Sequence, residues 1–243
     1  CYALLLFFAA GEDARAGTAA ETGSGLEWSI TPYLWASQTQ LDLSQPDQAL
    51  GGDTISFSDL LDQIDTAFMV NVETGRGRWS VFADLTYLET SDNEQRPVFR
   101  VETRSDTTLL DTGIAFWPDG VGSHLSIIAG LRYSGFDNRY RFFLQDTEVR
   151  RVRDDNDYYD ALLGLRYRID IGERWELLTH ADYSLGQSEG VWLMRANLAR
   201  TVGRRGFNRI LFGYQYKHAE FVAGELRTEY TYHGPMAGFS FRF

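Results

Sequence analysis

Ten segments in which apolar and polar residues alternate with a period of two predict an all-β fold, an up-and-down antiparallel transmembrane β-barrel. Each segment is about as long as the ~9–11 residues that a tilted strand needs to cross a bilayer. Short turns alternate with longer polar connections, as they do when one end of a barrel carries the turns and the other the loops. We expect ten strands in one domain over residues 26–243, with eight or twelve strands as alternatives.

The composition fits a barrel and argues against other classes of protein. No run of eighteen apolar residues occurs, so these residues contain no candidate transmembrane helix. The net charge of −11 argues against a nucleic-acid partner, which would require a basic surface. The mean hydropathy of −0.30 suits a barrel, because polar lumen-facing residues dilute the apolar lipid-facing ones.

The first residues have the features of an export signal. Cys1 is followed by an apolar run, and Ala14-Arg-Ala16 supplies the small residues of a cleavage site. We interpret residues 1–16 as the remnant of a cleaved secretory signal and residues 17–25 as a linker. A lipidated Cys1 is the alternative, but in a lipoprotein signal the apolar run precedes the cysteine.

The first half of the barrel contains five strand candidates and one long polar stretch. The first strand is strongly aromatic, and Pro32 favours an edge or a bulge within it. The polar stretch, from about residue 42 to 66, includes Ser58–Asp62, which suits a short capped helical turn. Tight turns are expected at Gly75–Gly77 and Pro118–Gly122. The strands are predicted at 26–36, 68–73, 79–87, 110–116 and 124–133.

The second half repeats this rhythm after a second long stretch, residues 136–158. In that stretch Arg139/Arg141 and Arg151/Arg153 alternate with other residues, which fits either a partner-binding loop or strands that extend beyond the membrane. Tight turns are expected at Ile171–Glu173 and Gly203–Gly206. The strands are predicted at 159–168, 175–184, 192–198, 210–217 and 234–243.

The last strand places its aromatic residues on one side. It resembles the closing strand of bacterial outer-membrane β-barrels, whose terminal aromatic residue is read by the barrel-assembly machinery. The resemblance implies that this machinery is a partner during biogenesis and that the assembly signal is formed by Phe239, Phe241 and Phe243.

The chain also resembles a group of small, poorly characterised proteobacterial outer-membrane proteins over nearly all of its length after the signal. The resemblance implies a location in the bacterial outer membrane of a Gram-negative cell, and it includes no catalytic signature. The shared motifs are Trp28…Thr31-Pro-Tyr-Leu-Trp35, Phe57-Ser-Asp-Leu-Leu61, the Gly-Arg-Trp79 turn and Gly234-Pro…Phe-Ser-Phe-Arg-Phe243.

Aromatic residues at the strand ends predict two membrane interfaces. An even number of strands places both termini at the short-turn end, which is the periplasmic side in outer-membrane barrels. The residues expected at the periplasmic interface are Trp79, Trp117 and Trp175, and those at the opposite interface are Tyr87, Tyr133, Tyr183 and Trp192.

The side opposite the aromatic residues predicts a charged lumen. Charges in a narrow interior must be paired or hydrated, and a ten-stranded barrel is little wider than one that side chains can fill. We therefore expect an ion-paired, largely plugged lumen, with a narrow path for small solutes or ions as the alternative. The predicted lumen residues are Glu73, Asp84, Asp111, Arg132, Asp160, Arg166, Arg168, Glu176, His180, Asp182, Arg195, Lys217 and Arg242.

These features favour a structural or surface-interaction role, ahead of a channel and of an enzyme. His180 and Asp182 share a strand face and could form a general-base pair, but they fall in mid-strand and no nucleophile is placed beside them. The acidic run Asp154, Asp155 and Asp157 is explained as well by a solvated surface as by a cation site. We assign no catalytic, cofactor-binding or metal-binding residue. The expected partners are outer-membrane lipids and lipopolysaccharide, whose phosphates arginine can bind.

Overall fold

The computed structural model describes residues 25–45, 48–95, 99–144, 147–203, 207–223 and 226–243. The interpretation of residues 1–16 as a signal remnant lies outside the described residues, as does all of the linker except Gly25. The described elements are β1 Glu27–Trp35, β2 Gln38–Gln45, β3 Gln48–Ile55, α1 Phe57–Gln63, β4 Ile64–Arg76, β5 Trp79–Gln95, β6 Phe99–Phe116, β7 Leu125–Leu144, β8 Thr147–Ile171, β9 Trp175–Gly186, β10 Gly190–Val202, β11 Asn208–Ala223 and β12 Leu226–Arg242.

Ten of the described strands, β1 and β4 to β12, form a closed antiparallel barrel. Each strand from β4 to β11 pairs with the next one along the chain. Strand β1 pairs with β4 on one side and with the second half of β12 on the other. The seam is tight, because the Trp28 amide donates to the Phe243 carbonyl over 2.9 Å. The predicted ten-stranded, up-and-down barrel is therefore confirmed.

The polar stretch at 42–66 contains more regular structure than its sequence predicts. Strands β2 and β3 form a hairpin there, and β2 continues the barrel wall by pairing with the first half of β12. The expected helical turn is α1, whose N-cap Ser56 accepts a hydrogen bond from the Asp59 amide. Helix α1 has seven residues, and no described helix has the length and apolar character needed to span a membrane.

The strands β6 to β8 are longer than the rest, and together with β5 they continue past one end of the barrel. The described residues of the stretch 136–158 form the ends of β7 and β8, which pair in register except for a bulge at Phe142/Phe143. Of the two interpretations of this stretch, strands that extend the sheet are the one observed. We call this end of the molecule the extended end, and the end with both barrel termini and the short turns the terminal end.

Side chains on the described strands alternate between the lumen and the outer surface. On β8 the outward positions Tyr159, Leu163, Leu165 and Tyr167 are 49–64% exposed, whereas the inward Leu162 is 4% exposed. The same contrast separates exposed from buried side chains on β5, β7 and β11. The outer surface of the barrel is therefore a broad apolar band.

Two glycines allow β6 and β7 to approach closely inside the lumen. Gly113 and Gly130 lie directly opposite each other. A Cβ atom on Gly130 would lie 2.0 Å from the Thr112 carbonyl oxygen, a distance that no side chain can tolerate. The pair adjoins Arg132 and leaves space for its long side chain.

Candidate functional site

The structure places all thirteen predicted lumen residues on the inner face of the barrel. Five of them are at least nine-tenths buried: Arg132, Asp160, Glu176, Asp182 and Lys217. Since an isolated buried charge is costly, buried groups of opposite charge must lie close enough to neutralise one another.

Arg132 on β7 is the centre of the interior and is 1% exposed. Its Nε and Nη2 atoms donate to the two carboxylate oxygens of Asp111 over 2.7 and 2.8 Å. Nη2 also donates to Asp182 Oδ1 on β9 over 2.8 Å, and Nη1 donates to Ser184 over 3.2 Å. The guanidinium therefore connects β6, β7 and β9 across the lumen.

A second ion pair lies beside this one. Arg195 Nη1 is 3.3 Å from Asp84 Oδ2, and the Tyr33 hydroxyl donates to Asp84 Oδ1 over 2.6 Å. The ammonium of Lys217, itself 4% exposed, is attracted electrostatically by the carboxylates of Asp84, Asp111 and Asp182. Three cations thus face three carboxylates in one layer, which we call the charge layer: Arg132, Arg195 and Lys217 with Asp84, Asp111 and Asp182.

His180 and Asp182 form the contact that their spacing predicts. The His180 Nε2 atom is 2.6 Å from Asp182 Oδ2, so the carboxylate orients the imidazole. The other oxygen of Asp182 is held by Arg132. Asp182 is therefore neutralised by the charge layer, and the pair lies within the lumen wall and not at a rim.

The remaining predicted lumen residues tie the wall together. Asp160 accepts from the amide and hydroxyl of Ser188 over 3.0 and 2.6 Å and so fixes the β9–β10 turn. Arg166 Nη1 donates to Glu73 over 2.8 Å across the lumen. Sequence reasoning missed Arg209, which contacts Glu176 over 2.7 Å; extending the alternation on β11 back from Leu211 would have found it.

A layer of aromatic side chains closes the lumen above the charge layer, towards the extended end. Tyr158 and Phe221 pack with ring centroids 4.3 Å apart, and Phe136 stacks on Tyr230 at 6.0 Å. Val191 and Ala219 fill the space beneath these rings. The period-two pattern does not predict this layer, because Phe136, Phe221 and Tyr230 lie outside the predicted strands, in the expected connections. We call it the aromatic layer.

Below the charge layer the lumen opens into a cavity of about 600 Å³ at the terminal end. Its floor is formed by Tyr33, Asp84, His180 and Arg195 of the charge layer and its neighbours. The next space towards the extended end is only about 10 Å³, roughly the size of one water molecule. Among the described residues this cavity ends at the charge layer, and we call it the end cavity.

Six of the seven predicted interface aromatics lie on the outer surface. Trp79 packs on Phe116 at 4.9 Å near the terminal end, and Tyr133 packs on Tyr159 at 5.1 Å towards the extended end. The prediction of Trp117 as an interface residue is wrong. Trp117 lies inside the lumen against Phe82, and its indole donates to the Ser80 hydroxyl over 2.9 Å. The alternation of β6 directs Phe116 outwards, so its neighbour must face inwards. The other outward residues are Tyr87, Trp175, Tyr183 and Trp192.

The three residues of the predicted assembly signal also face outwards. Phe241 and Phe243 are 43% and 70% exposed, whereas Met236 and Ser240 on the other side of β12 are both 7% exposed. Phe239 packs on Phe241 with ring centroids 4.7 Å apart. Their role in assembly stays a prediction.

The outer surface changes character abruptly beyond Tyr159. Outward side chains there form rows across β5 to β8, which we call the charged face: an acidic row of Glu89, Asp106, Asp137 and Asp155, then a basic row of Arg104, Arg139 and Arg153, then Glu102, Arg141 and Arg151.

Like charges in a row repel, and the rows are held by contacts between them. Asp137 binds Arg139 over 2.6 Å and Arg153 over 2.9 Å. The hydrogen bond from Arg139, with the charges of both arginines, lowers the pKa of the Asp137 carboxyl. Contacts with Arg151 and then Arg141 likewise lower the pKa of Glu148.

The acidic run at 154–157 does not converge on one point. Asp155 and Asp157 face outwards, where they contact Arg153 and Tyr133 respectively, while Asp154 lies on the other side of β8 next to Asn156. Within the described ranges, no three acidic, histidine or cysteine side chains are grouped as metal ligands.

Comparison with known proteins adds information on the fold only. No family model and no curated protein matches this sequence. The fold is similar to that of the outer membrane protease OmpT from Escherichia coli, with a TM-score of 0.60 and 11% identity over 93% of this chain and 99% of that chain. At this identity the likeness carries no information on activity.

Weaker similarities have TM-scores too low to support an argument. They include Ail, the attachment invasion locus protein of Yersinia pestis, with a TM-score of 0.43 and 10% identity over 89% of this chain and 99% of that one. Another is Neisserial surface protein A, with a TM-score of 0.28 and 13% identity over 90% and 100%. On the similarity to OmpT, the chain has the fold of an outer-membrane β-barrel.

Proposed function

We propose that this protein is an integral outer-membrane β-barrel with a closed lumen, and that it acts through the charged face outside the membrane. The outward face of β8 carries the proposal. From Ile171 to Tyr159 every outward residue is apolar or aromatic, and the next outward residues, Asp157, Asp155, Arg153 and Arg151, are all charged. Water would not stabilise such an exposed band, whereas lipid would.

The direction of insertion follows from the lengths of the connections. Outer-membrane barrels have short turns on the periplasmic side and longer elements outside. The short turns and both chain termini of the barrel lie together at the terminal end. This supports periplasmic termini and an extended end that faces out of the cell.

The closed lumen argues against a channel. The charge layer leaves a space of about 10 Å³, and the aromatic layer covers it towards the extended end. An ion would have to separate the buried Arg132 from Asp111 and Asp182, which is costly in a low-dielectric interior.

Planar-bilayer recording tests the closed lumen. We expect no stable conductance from the folded chain, with insertion checked by heat-dependent gel mobility. Reproducible openings whose ion selectivity changes in Asp182→Asn would contradict the closed lumen and support a narrow channel instead.

The charged face lies at the height of lipid headgroups, which supports lipopolysaccharide phosphates as its ligands. Arg151, Arg153 and Arg104 have side chains that are 64%, 59% and 53% exposed. Each guanidinium has five donors in a fixed planar arrangement that matches phosphate. Exposed ion pairs contribute only about 0–1 kcal/mol, so a phosphate can replace a carboxylate at little cost.

Binding to lipopolysaccharide in neutral-lipid nanodiscs tests this role. The double variant Arg151→Gln/Arg153→Gln should weaken binding about tenfold, equal to ~1.4 kcal/mol. The matched control, Arg76→Gln/Arg78→Gln, removes two exposed arginines from the terminal end and should have no effect. Equal binding by both variants, or equal binding of dephosphorylated lipopolysaccharide, would refute the proposal.

No reaction is proposed for the lumen. A general base must reach the proton that it removes. Asp182 is already occupied by Arg132 and His180, and Ser184 donates to Asp160 and accepts from Arg132. These contacts support a structural role for the His180–Asp182 pair.

A further inference from the structure

Three arginines lie together at the side of the end cavity, and two of them contact the same carboxylate. Arg168 on β8, Arg209 on β11 and Arg242 on β12 all line the cavity, and Glu176 on β9 lies behind them. We call these three residues the arginine cluster. The strands that carry them are near the terminal end, so their guanidinium groups lie where the cavity meets solvent.

The arginine cluster has more positive charge than its surroundings neutralise. Arg209 Nε is 2.7 Å from Glu176 Oε1, while Arg168 Nε is 3.8 Å from Glu176 and 3.3 Å from Asp170. The Arg242 guanidinium forms no ion pair with any residue that the structure describes. Three cations against two carboxylates leave one positive charge, in a chain whose net charge is −11.

Most of the other charges of the cavity are paired with one another. Arg166 is matched by Glu73 and Arg195 by Asp84, each one to one. With Glu27 of the lining and with Glu176 and Asp170 beside the cluster, five acidic side chains balance the five lining arginines in number. Arg242 nevertheless has no ion pair among the described residues, so a solute anion can bind its guanidinium without displacing a carboxylate.

Apolar side chains form the remainder of the cavity. Trp117, Leu211 and Met236 line it, and Phe207, 61% exposed, lies at its mouth. A volume of about 600 Å³ is within the range of sites that hold small molecules. The combination suits a ligand with an anionic group at one end and an apolar or aromatic group at the other.

We propose that the end cavity is a binding site for a small organic anion, a phosphate or carboxylate with an attached apolar group, held by Arg168, Arg209 and Arg242. The ligand enters from the terminal end and stops at the charge layer. This site is separate from the charged face, at the opposite end of the barrel, so either proposal can fail without the other.

Titration calorimetry of the folded chain in neutral detergent tests the site. Phenyl phosphate is the probe, with phenol as the neutral analogue and inorganic phosphate as the anion without an apolar group. Dihexanoyl phosphatidic acid, used as a monomer, tests whether a lipid headgroup is the source of the anion. We expect saturable binding of phenyl phosphate, weaker binding of inorganic phosphate and none of phenol.

Arg242→Gln is the informative variant, because Arg242 has no ion pair whose loss would unfold the barrel. It should weaken phenyl phosphate binding about tenfold. Arg200→Gln is the matched control: this arginine lies at the same end of the barrel but outside, over the Trp175 ring at 5.4 Å. The Arg200→Gln variant should bind phenyl phosphate as tightly as the unchanged chain does.

Two results would overturn the proposal. One is the absence of saturable binding of phenyl phosphate, inorganic phosphate and phosphatidic acid alike; the other is an equal effect of Arg242→Gln and Arg200→Gln. Binding of phosphatidic acid in preference to phenyl phosphate would support the site and identify its ligand as a lipid headgroup, and the reverse preference would identify a soluble anion.

Discussion

Arg132 is the residue on which the interior depends most. It is 1% exposed and forms ion pairs with two lumen carboxylates, Asp111 and the buried Asp182. Among the described residues, replacing it with Met would leave Asp111 without an ion pair and Asp182 with only His180 beside it, in a low-dielectric lumen. We expect Arg132→Met to lower the free energy of unfolding by about 3–5 kcal/mol, measured by urea titration in lipid vesicles.

A second substitution separates charge from packing at this site. Adding Asp182→Asn to Arg132→Met removes one of the two carboxylate charges that Arg132 compensates. The double variant should therefore recover part of the lost free energy of unfolding. A single variant that unfolds like the unchanged chain would show that the charge layer does not hold the barrel together.

At the scale of elements, β8 marks the boundary of the proposed membrane. Leu163 and Val149 are both exposed, at 64% and 56%, and both lie on this strand, but only Leu163 falls within the apolar band. An arginine in mid-membrane costs about 2–4 kcal/mol. We expect Leu163→Arg to lower the free energy of unfolding by this amount and Val149→Arg to leave it almost unchanged. Equal losses for the two variants would contradict the placement of the bilayer.

The stability of the paired ends of β7 and β8 should depend on pH. Asp137 has a lowered pKa, with the hydrogen bond from Arg139 as the main cause. A lowered carboxyl pKa stabilises the folded form above the unfolded value of about 3.9, and this contribution is lost as the pH falls through the folded pKa.

Backbone NMR relaxation at residues 137–153 measures this dependence. The ends of β7 and β8 should be ordered at neutral pH and gain motion below about pH 4. In Asp137→Asn the motion should change less with pH, because the titrating contact has been removed. Identical pH profiles for the two chains would exclude Asp137 as the source.

For the whole molecule, the proposals predict that each end of the barrel is accessible from one side only. In a Cys1→Ser background, Asn71→Cys places a thiol in the end cavity and Ser91→Cys places one on the charged face. In intact cells a membrane-impermeant thiol reagent should label Ser91→Cys and leave Asn71→Cys unmodified until the outer membrane is permeabilised. Labelling of Asn71→Cys in intact cells would indicate an open lumen or the opposite orientation.

The sequence by itself determined the number of barrel strands and the direction of their side chains. Period-two alternation is a local property, so the facing of Tyr159 and Asp160 follows from the strand alone. The same property placed the charged residues in the lumen. It failed where a strand boundary was uncertain: Trp117 was assigned to the wrong face at the end of β6, and Arg209 was missed at the start of β11.

Only the tertiary structure decided which charges meet and which side chains pack together across the lumen. Arg132 and Asp182 are 50 positions apart, and Arg166 and Glu73 are 93 apart. Their contacts depend on the stagger between strands around the closed barrel, which no single strand encodes. The aromatic layer arises in the same way, because the extended ends of β7, β8, β11 and β12 bring Phe136, Tyr158, Phe221 and Tyr230 to one level.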